Sequence, residues 1–182
     1  MNGKKKQGIN VLANKLVEVL GLKSPIAIEK VPGMLGGNIL WVGGDIGREM
    51  KAMVQKEGEE SFSIYIDKNI SIEVQRFTIA QEIGHLFIHM GYLINPKLWA
   101  NEEDYKDSVH YRYGYSKEKL EANEFAMAFL MPETEFLEVA NQNLTNGYYE
   151  LQKIAKHFGV SKAVANARGK QLRIFSWENN CY

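Results

Sequence analysis

The segment that most restricts what this chain can fold into is Arg76-Phe77-Thr78-Ile79-Ala80-Gln81-Glu82-Ile83-Gly84-His85-Leu86-Phe87-Ile88-His89. Wound as a helix, it is apolar on almost every side. It therefore has to be a buried central helix, from about residue 72 to about 90, and not a surface one. Ser71 stands where an N-cap belongs, Glu73 puts a negative charge where the helix dipole favours it, and Gly91 marks the end. Just upstream, Ser61-Phe62-Ser63-Ile64-Tyr65-Ile66-Asp67 alternates polar and apolar residues with period two, the pattern of a strand.

Other elements follow from punctuation and periodicity. A first helix is expected over about 9–21, stopped by Gly21. Pro25 and Pro32 bracket Ile26-Ala27-Ile28, read as a short extended piece, and Ile39-Leu40-Trp41-Val42 reads as a strand inside a glycine-rich stretch. A second long helix fits about 117–130, with Ser116 as its cap, Pro132 beyond its end and an apolar stripe of Ala122, Phe125, Ala126, Phe129 and Leu130. Between the two long helices lies an aromatic connection over about 92–116, long enough to suggest a functional loop. Shorter helices are expected near 133–141 and 148–158, and a last one reaches about residue 172. The fold class is α+β: a small, mostly antiparallel sheet packed on the buried helix, with a helical C-terminal region. Phe77, Ile83, Phe87, Ala122, Ala126 and Phe129 are the expected core.

Composition narrows the function. The 182 residues suit one domain with at most a small appendage, and 22 basic residues balance 22 acidic ones. There is no global pull towards nucleic acid or an anionic membrane. The single cysteine, Cys181, rules out a disulfide framework or a cysteine-built zinc site and fits a cytoplasmic protein. Lys4-Lys5-Lys6 opens a segment too polar for a signal peptide or a membrane span. The domain reading is a disordered basic tail over 1–8, a main domain over 9–147, and a pair of C-terminal helices over 148–175.

The chemistry lies in Gln81-Glu82-x-x-His85. Two histidines four apart with a glutamate after the first, His-Glu-x-x-His, share one helix face and hold zinc in a large class of peptidases. Here Gln81 replaces the first imidazole. An amide carbonyl is a poor zinc ligand beside imidazole or carboxylate. His85 and His89 are also four apart and are a substitute pair to weigh, although a core or supporting histidine is the commoner role for His89.

With these residues in view, the chain resembles the ImmA/IrrE family of metallopeptidases. The family's helix reads approximately Arg-Phe-Thr-Ile-Ala-His-Glu-Leu-Gly-His-Leu-Phe-Leu-His, and this chain departs from it mainly at Gln81. A second signature, approximately Glu-x-Glu-Ala-Asn-x-Phe-Ala-x-x-Leu-Met-Pro, appears here as Lys119-Leu120-Glu121-Ala122-Asn123-Glu124-Phe125-Ala126-Met127-Ala128-Phe129-Leu130-Met131-Pro132. The resemblance implies a zincin-like fold and, in active members, zinc held by positions that here are Gln81, His85 and Lys119. It also implies a general base at Glu82, and helix-turn-helix repressors of mobile elements or stress genes as substrates. Lys119 replaces the carboxylate ligand. A positive charge about 4 Å from a divalent ion costs on the order of 8 kcal/mol at an effective dielectric of about 20.

Two placements of Lys119 stay open: its ammonium beside Glu82 and Gln81 near the lost metal position, or its side chain running out to solvent. Glu118 is the candidate replacement carboxylate. Glu121, about 100° off the stripe centre, is expected to be exposed, and His110 is expected to be a surface histidine. The expectation is a degenerate zincin without cofactor, or with zinc if the site still works. In an active form Glu82 would take the proton of a metal-bound water, and the strand carrying Phe62, Ile64 and Ile66 would hold an extended peptide by strand addition, with side-chain pockets from the aromatic loop over 99–115. Leu151 to Val164 resembles a helix-turn-helix with Lys162, Arg168, Lys170 and Arg173 adding basic character. The same pair is usual at the end of the family's peptidase domain, so a structural or protein-contact role is favoured over DNA reading. The partner expected is a protein, with no membrane contact.

Overall fold

A computed structural model describes residues 1–43, 52–101 and 116–175. Helix α1 covers Gly3–Val19. A 3-10 turn at Ile28–Lys30 and the short α2 (Val31–Met34) follow, then strands β1 (Asn38–Val42), β2 (Ala52–Lys56) and β3 (Phe62–Asp67), and helices α3 (Ile72–Ile88) and α4 (Pro96–Asn101). The second half holds α5 (Lys117–Leu130), α6 (Glu133–Gln142), the two-residue strands β4 (Leu144–Thr145) and β5 (Tyr148–Tyr149), α7 (Leu151–Phe158) and α8 (Lys162–Gln171). This is an α+β fold with a small sheet and a helical C-terminal region.

β2 and β3 form an antiparallel hairpin, with Val54 opposite Ile64, closed by Glu57 N–H donating to the Ser61 carbonyl at 3.0 Å. β1 pairs parallel on the other edge of β3, with Ile39 opposite Ile64, so the sheet order is β1-β3-β2. Parallel pairing brings together strands separated in sequence by the hairpin, a non-local arrangement that no periodicity announces. β3 is therefore central. Phe62, Ile64 and Ile66 share the buried face, and on the other face Ser63 is buried while Tyr65 and Asp67 are half-buried.

α3 packs chiefly on α5, and close approach is set at Gly84. A Cβ there would lie 3.1 to 3.2 Å from atoms of Phe125. Ile83, Phe87, Ala122, Ala126 and Phe129 are buried as expected, while Phe77 is half-buried at the rim. α5 begins as its sequence says: Ser116 Oγ accepts from Lys119 N–H at 3.0 Å. Ser71 holds the N-cap position of α3 in extended geometry, but its side chain makes no capping bond.

Three expectations change. The basic stretch at the N-terminus is helical from Gly3, not a disordered tail, because Asn2 caps it (Oδ1 from Lys5 N–H, 2.9 Å) and its lysines find carboxylates on α5. The piece at Ile26–Ile28 leads into a 3-10 turn, both isoleucines being buried. The aromatic connection contains α4, and Tyr92 and Trp99 pin it to the hairpin: Tyr92 Oη donates to the Leu35 carbonyl at 2.6 Å and the Glu60 carbonyl at 3.1 Å, and Trp99 Nε1 donates to the Glu59 carbonyl. The rest of that connection, with His110 and most of its tyrosines, lies outside the described residues.

The C-terminal pair turns at Gly159, which sits at φ +64°, the left-handed geometry that glycine supplies most cheaply. Arg76 of α3 donates from Nε to the Gly159 carbonyl at 2.7 Å and from Nη2 to the Phe158 carbonyl at 3.3 Å. The end of α7 is thus capped by a side chain of the central helix.

Candidate functional site

α3 presents Gln81, Glu82, His85 and His89 towards α5 and its surroundings. Glu82 and His85 are buried, at 4% and 1% exposure, while Gln81 and His89 are half-buried. Gln81 Nε2 donates to Oδ1 of Asn123, a residue of the second signature. An amide–amide contact thus stands where the motif would set an imidazole. Lys119 is exposed, with its backbone N–H engaged by the Ser116 cap. Of the two placements left open, the solvent-directed one is found.

An ammonium does reach the site, from elsewhere. Lys5 Nζ lies 2.6 Å from Oε1 of Glu121, and Oε2 of the same carboxylate is 3.1 Å from His89 Nε2. His89 Nδ1 is 2.9 Å from His85 Nδ1. Glu121 is 1% exposed, against the expectation that it would face solvent. The apolar stripe of α5, read from spacing, marks one buried face. In the fold α5 is covered by α3 on one side and by α1 on another, so both Glu121 and Glu124 are buried. The sequence signal for this was the lysine triplet ahead of an amphipathic helix, a ready source of countercharge.

The chain Lys5–Glu121–His89–His85 fixes its own proton positions. Burial would push the Glu121 carboxyl up, but hydrogen bonds from Lys5 and His89 outweigh that and hold it below the usual carboxylate value. Burial, and then the neighbouring His85, hold His89 below the usual imidazole value against the opposing pull of Glu121 and Glu118. At neutral pH a neutral His89 therefore donates from Nε2 to the carboxylate. Its Nδ1 is then a lone pair, which accepts from His85 Nδ1–H. Glu118 is half-buried, and its charge acts on His89.

As they stand among the described residues, these donors do not gather around one point. The ring of His89 lies between His85 and Glu121, facing one through Nδ1 and the other through Nε2, so the three do not converge on a point. Gln81 is an amide already engaged with another amide, and the side chain of Lys119 is a cation in solvent. Among the described residues no three His, Cys, Asp or Glu side chains are grouped to hold a metal ion. Tetrahedral zinc needs three protein ligands even at an open site.

Phe62, Ile64 and Ile66 are each 0% exposed, on a strand hydrogen-bonded along both edges. Strand addition at β3 is closed, because β1 and β2 flank it on either side. Arg168, one of the residues that give the last helix its basic character, is wholly buried: it donates to the Met131 carbonyl at 3.0 Å, Asn10 Oδ1 at 3.0 Å and Gln171 Oε1 at 2.9 Å. Burial pushes its pKa down to about 10. It ties α8 to α1 and to the end of α5. His157 is a helix-surface residue, 2.9 Å from Glu135.

A family model described as the IrrE N-terminal-like domain, peptidase M78, matches residues 45–170. No curated protein matches the chain significantly. Among solved structures, a Mycobacterium tuberculosis transcriptional regulator is similar at TM-score 0.59 and 16% identity over 88% of this chain. This chain spans 55% of that protein's length, and at this identity the likeness concerns the fold alone.

Proposed function

We propose that this chain, which belongs to the IrrE N-terminal-like domain family of M78 peptidases, is a pseudopeptidase: a zincin-fold module that binds a protein partner without cutting it. The observation that carries the reading is the Gln81–Asn123 amide pair together with the outward Lys119. At two ligand positions the side chains are satisfied without an ion. Glu82 keeps the position of the general base, yet two of the three ligands that would hold a metal-bound water beside it are replaced.

The partner class proposed is a helix-turn-helix repressor, by analogy with the family's substrates and in line with the transcriptional regulator that shares the fold. Repressor regulation, including that of mobile elements, is the setting in which such a module would act, in the cytoplasm. Among the described residues no helix is long and apolar enough to cross a membrane. An active peptidase with an altered ligand set is the second reading, favoured by the nearness of His85, His89 and Glu121. It would require His89 to turn away from its present bonds.

Elemental analysis of untagged protein after dialysis against zinc separates the two. Substoichiometric zinc is expected, and one tightly held zinc per chain would end the pseudopeptidase reading. The double variant Gln81→His with Lys119→Glu is then expected to gain zinc.

A further inference from the structure

The first two turns of α1 are an unusual piece of helix. Gly3, Lys4, Lys5, Lys6, Gln7 and Gly8 include two glycines and three adjacent like charges, and none is buried. A Cβ at Gly3 or Gly8 would meet nothing within 4 Å, so no close packing calls for either glycine. A cavity of about 230 Å³ opens beside these turns, lined by Gly3, Lys6, Gln7, Asn10, Arg168 and Gln171 among others. The hydrophobic anchoring of α1 begins only at Ile9 and Ala13.

What holds residues 3–8 is polar. Lys5 reaches Glu121 at 2.6 Å, Lys6 lies 3.8 Å from Glu124, and Asn2 caps the helix. Asn10 bridges the two regions: its Nδ2 donates to the Lys6 carbonyl at 2.9 Å and to Glu124. Both carboxylates are buried on α5, and Glu121 continues to His89 and His85 on α3. We propose that residues 3–8 are an electrostatic latch: a helical extension of α1 that closes on the α3–α5 site through the Lys5–Glu121 ion pair and opens without unfolding the rest of α1.

Opening has a defined consequence. Glu121 loses its lysine and is left able to take a lysine or arginine side chain from a bound protein, while Glu124 keeps its bonds from Asn10 and Gln171. That last step rests on the protein-binding reading above, whereas the latch itself stands on the contacts of α1 and holds for an active enzyme as well.

Hydrogen exchange read by mass spectrometry on the full chain tests it, comparing the natural protein with Lys5→Met, Lys5→Arg and Lys4→Met. Lys5 is 41% exposed, so the charge-removing variant leaves the core untouched. Lys5→Met is expected to reduce amide protection over residues 6–8 about tenfold and to leave residues 12–19 within twofold. Lys5→Arg is expected to keep protection because it keeps the charge, and Lys4→Met, at an exposed neighbour, is expected to change nothing. Unchanged protection in Lys5→Met, an equal loss in Lys4→Met, or a loss spreading evenly through residue 19 would each overturn the latch.

Discussion

Glu121, outside the Gln81-Glu82-x-x-His85 pattern, joins an ammonium of α1 to an imidazole at the end of α3. A carboxylate at 1% exposure is tolerable only because one oxygen faces an ammonium and the other an imidazole N–H. Replacing it by glutamine keeps the shape and removes the charge, at an expected cost of about 2 kcal/mol in unfolding free energy at pH 7. The folded carboxyl lies below its unfolded value, so its contribution is fully present above the unfolded pKa of about 4.3 and is lost as pH falls through the folded one. Urea unfolding at pH 7 and near pH 3 should show the gap between natural protein and Glu121→Gln narrowing at the acidic end. A gap of equal size at both would show that the charge is not what stabilises. In the sequence this residue was misplaced, since a helical wheel locates a side chain relative to one stripe and cannot say that a second helix covers the next. Gln81 was legible because a local pattern fixes its position. Its bond to Asn123 was not, since that depends on how two helices cross.

At the scale of elements, the local signals held and the long-range ones were hidden. α5 runs from Lys117 to Leu130 as Ser116 and Pro132 implied, and α3 and β3 lie where their periodicities put them. The rank of β3 within the sheet was invisible. Period two announces one buried face, whereas which strands pair with its edges depends on residues distant in sequence. β2 was missed altogether: Ala52-Met53-Val54-Gln55-Lys56 is short and weakly alternating, and becomes a strand by pairing with β3. A comparable long-range link joins α3 to the C-terminal pair. Arg76 supplies two charge-assisted hydrogen bonds to the end of α7, replacing the helix's missing donors with a guanidinium. Arg76→Met should lower stability by about 2 kcal/mol and raise amide exchange in residues 151–160 more than in α5. Equal exchange in both regions would mean the arginine does not fasten this joint.

At the centre of the molecule, side chains of three helices meet one another's polar groups. α3 and α5 meet through apolar residues and a glycine. The polar positions between them are closed by an amide pair and by a relay ending on Lys5 of a third helix, 116 residues away from Glu121 in sequence. If that arrangement supplies the cohesion a metal would otherwise give, unfolding should ignore metal. A ligand at one hundred times its dissociation constant adds about 2.7 kcal/mol to stability, which for a chain of this size is a rise of roughly 5–10 °C in Tm. The natural protein is expected to melt within about 1 °C of the same temperature in chelator and in excess zinc. The Gln81→His, Lys119→Glu variant should melt lower than the natural protein in chelator, because it breaks the amide pair, and should regain several degrees on adding zinc. A zinc-dependent rise in the natural protein would mean that α3 and α5 still close around an ion. A reverted variant that ignores zinc would mean that the latch and the His89–Glu121 contact hold the ligand face in a geometry that restoring two side chains does not reopen.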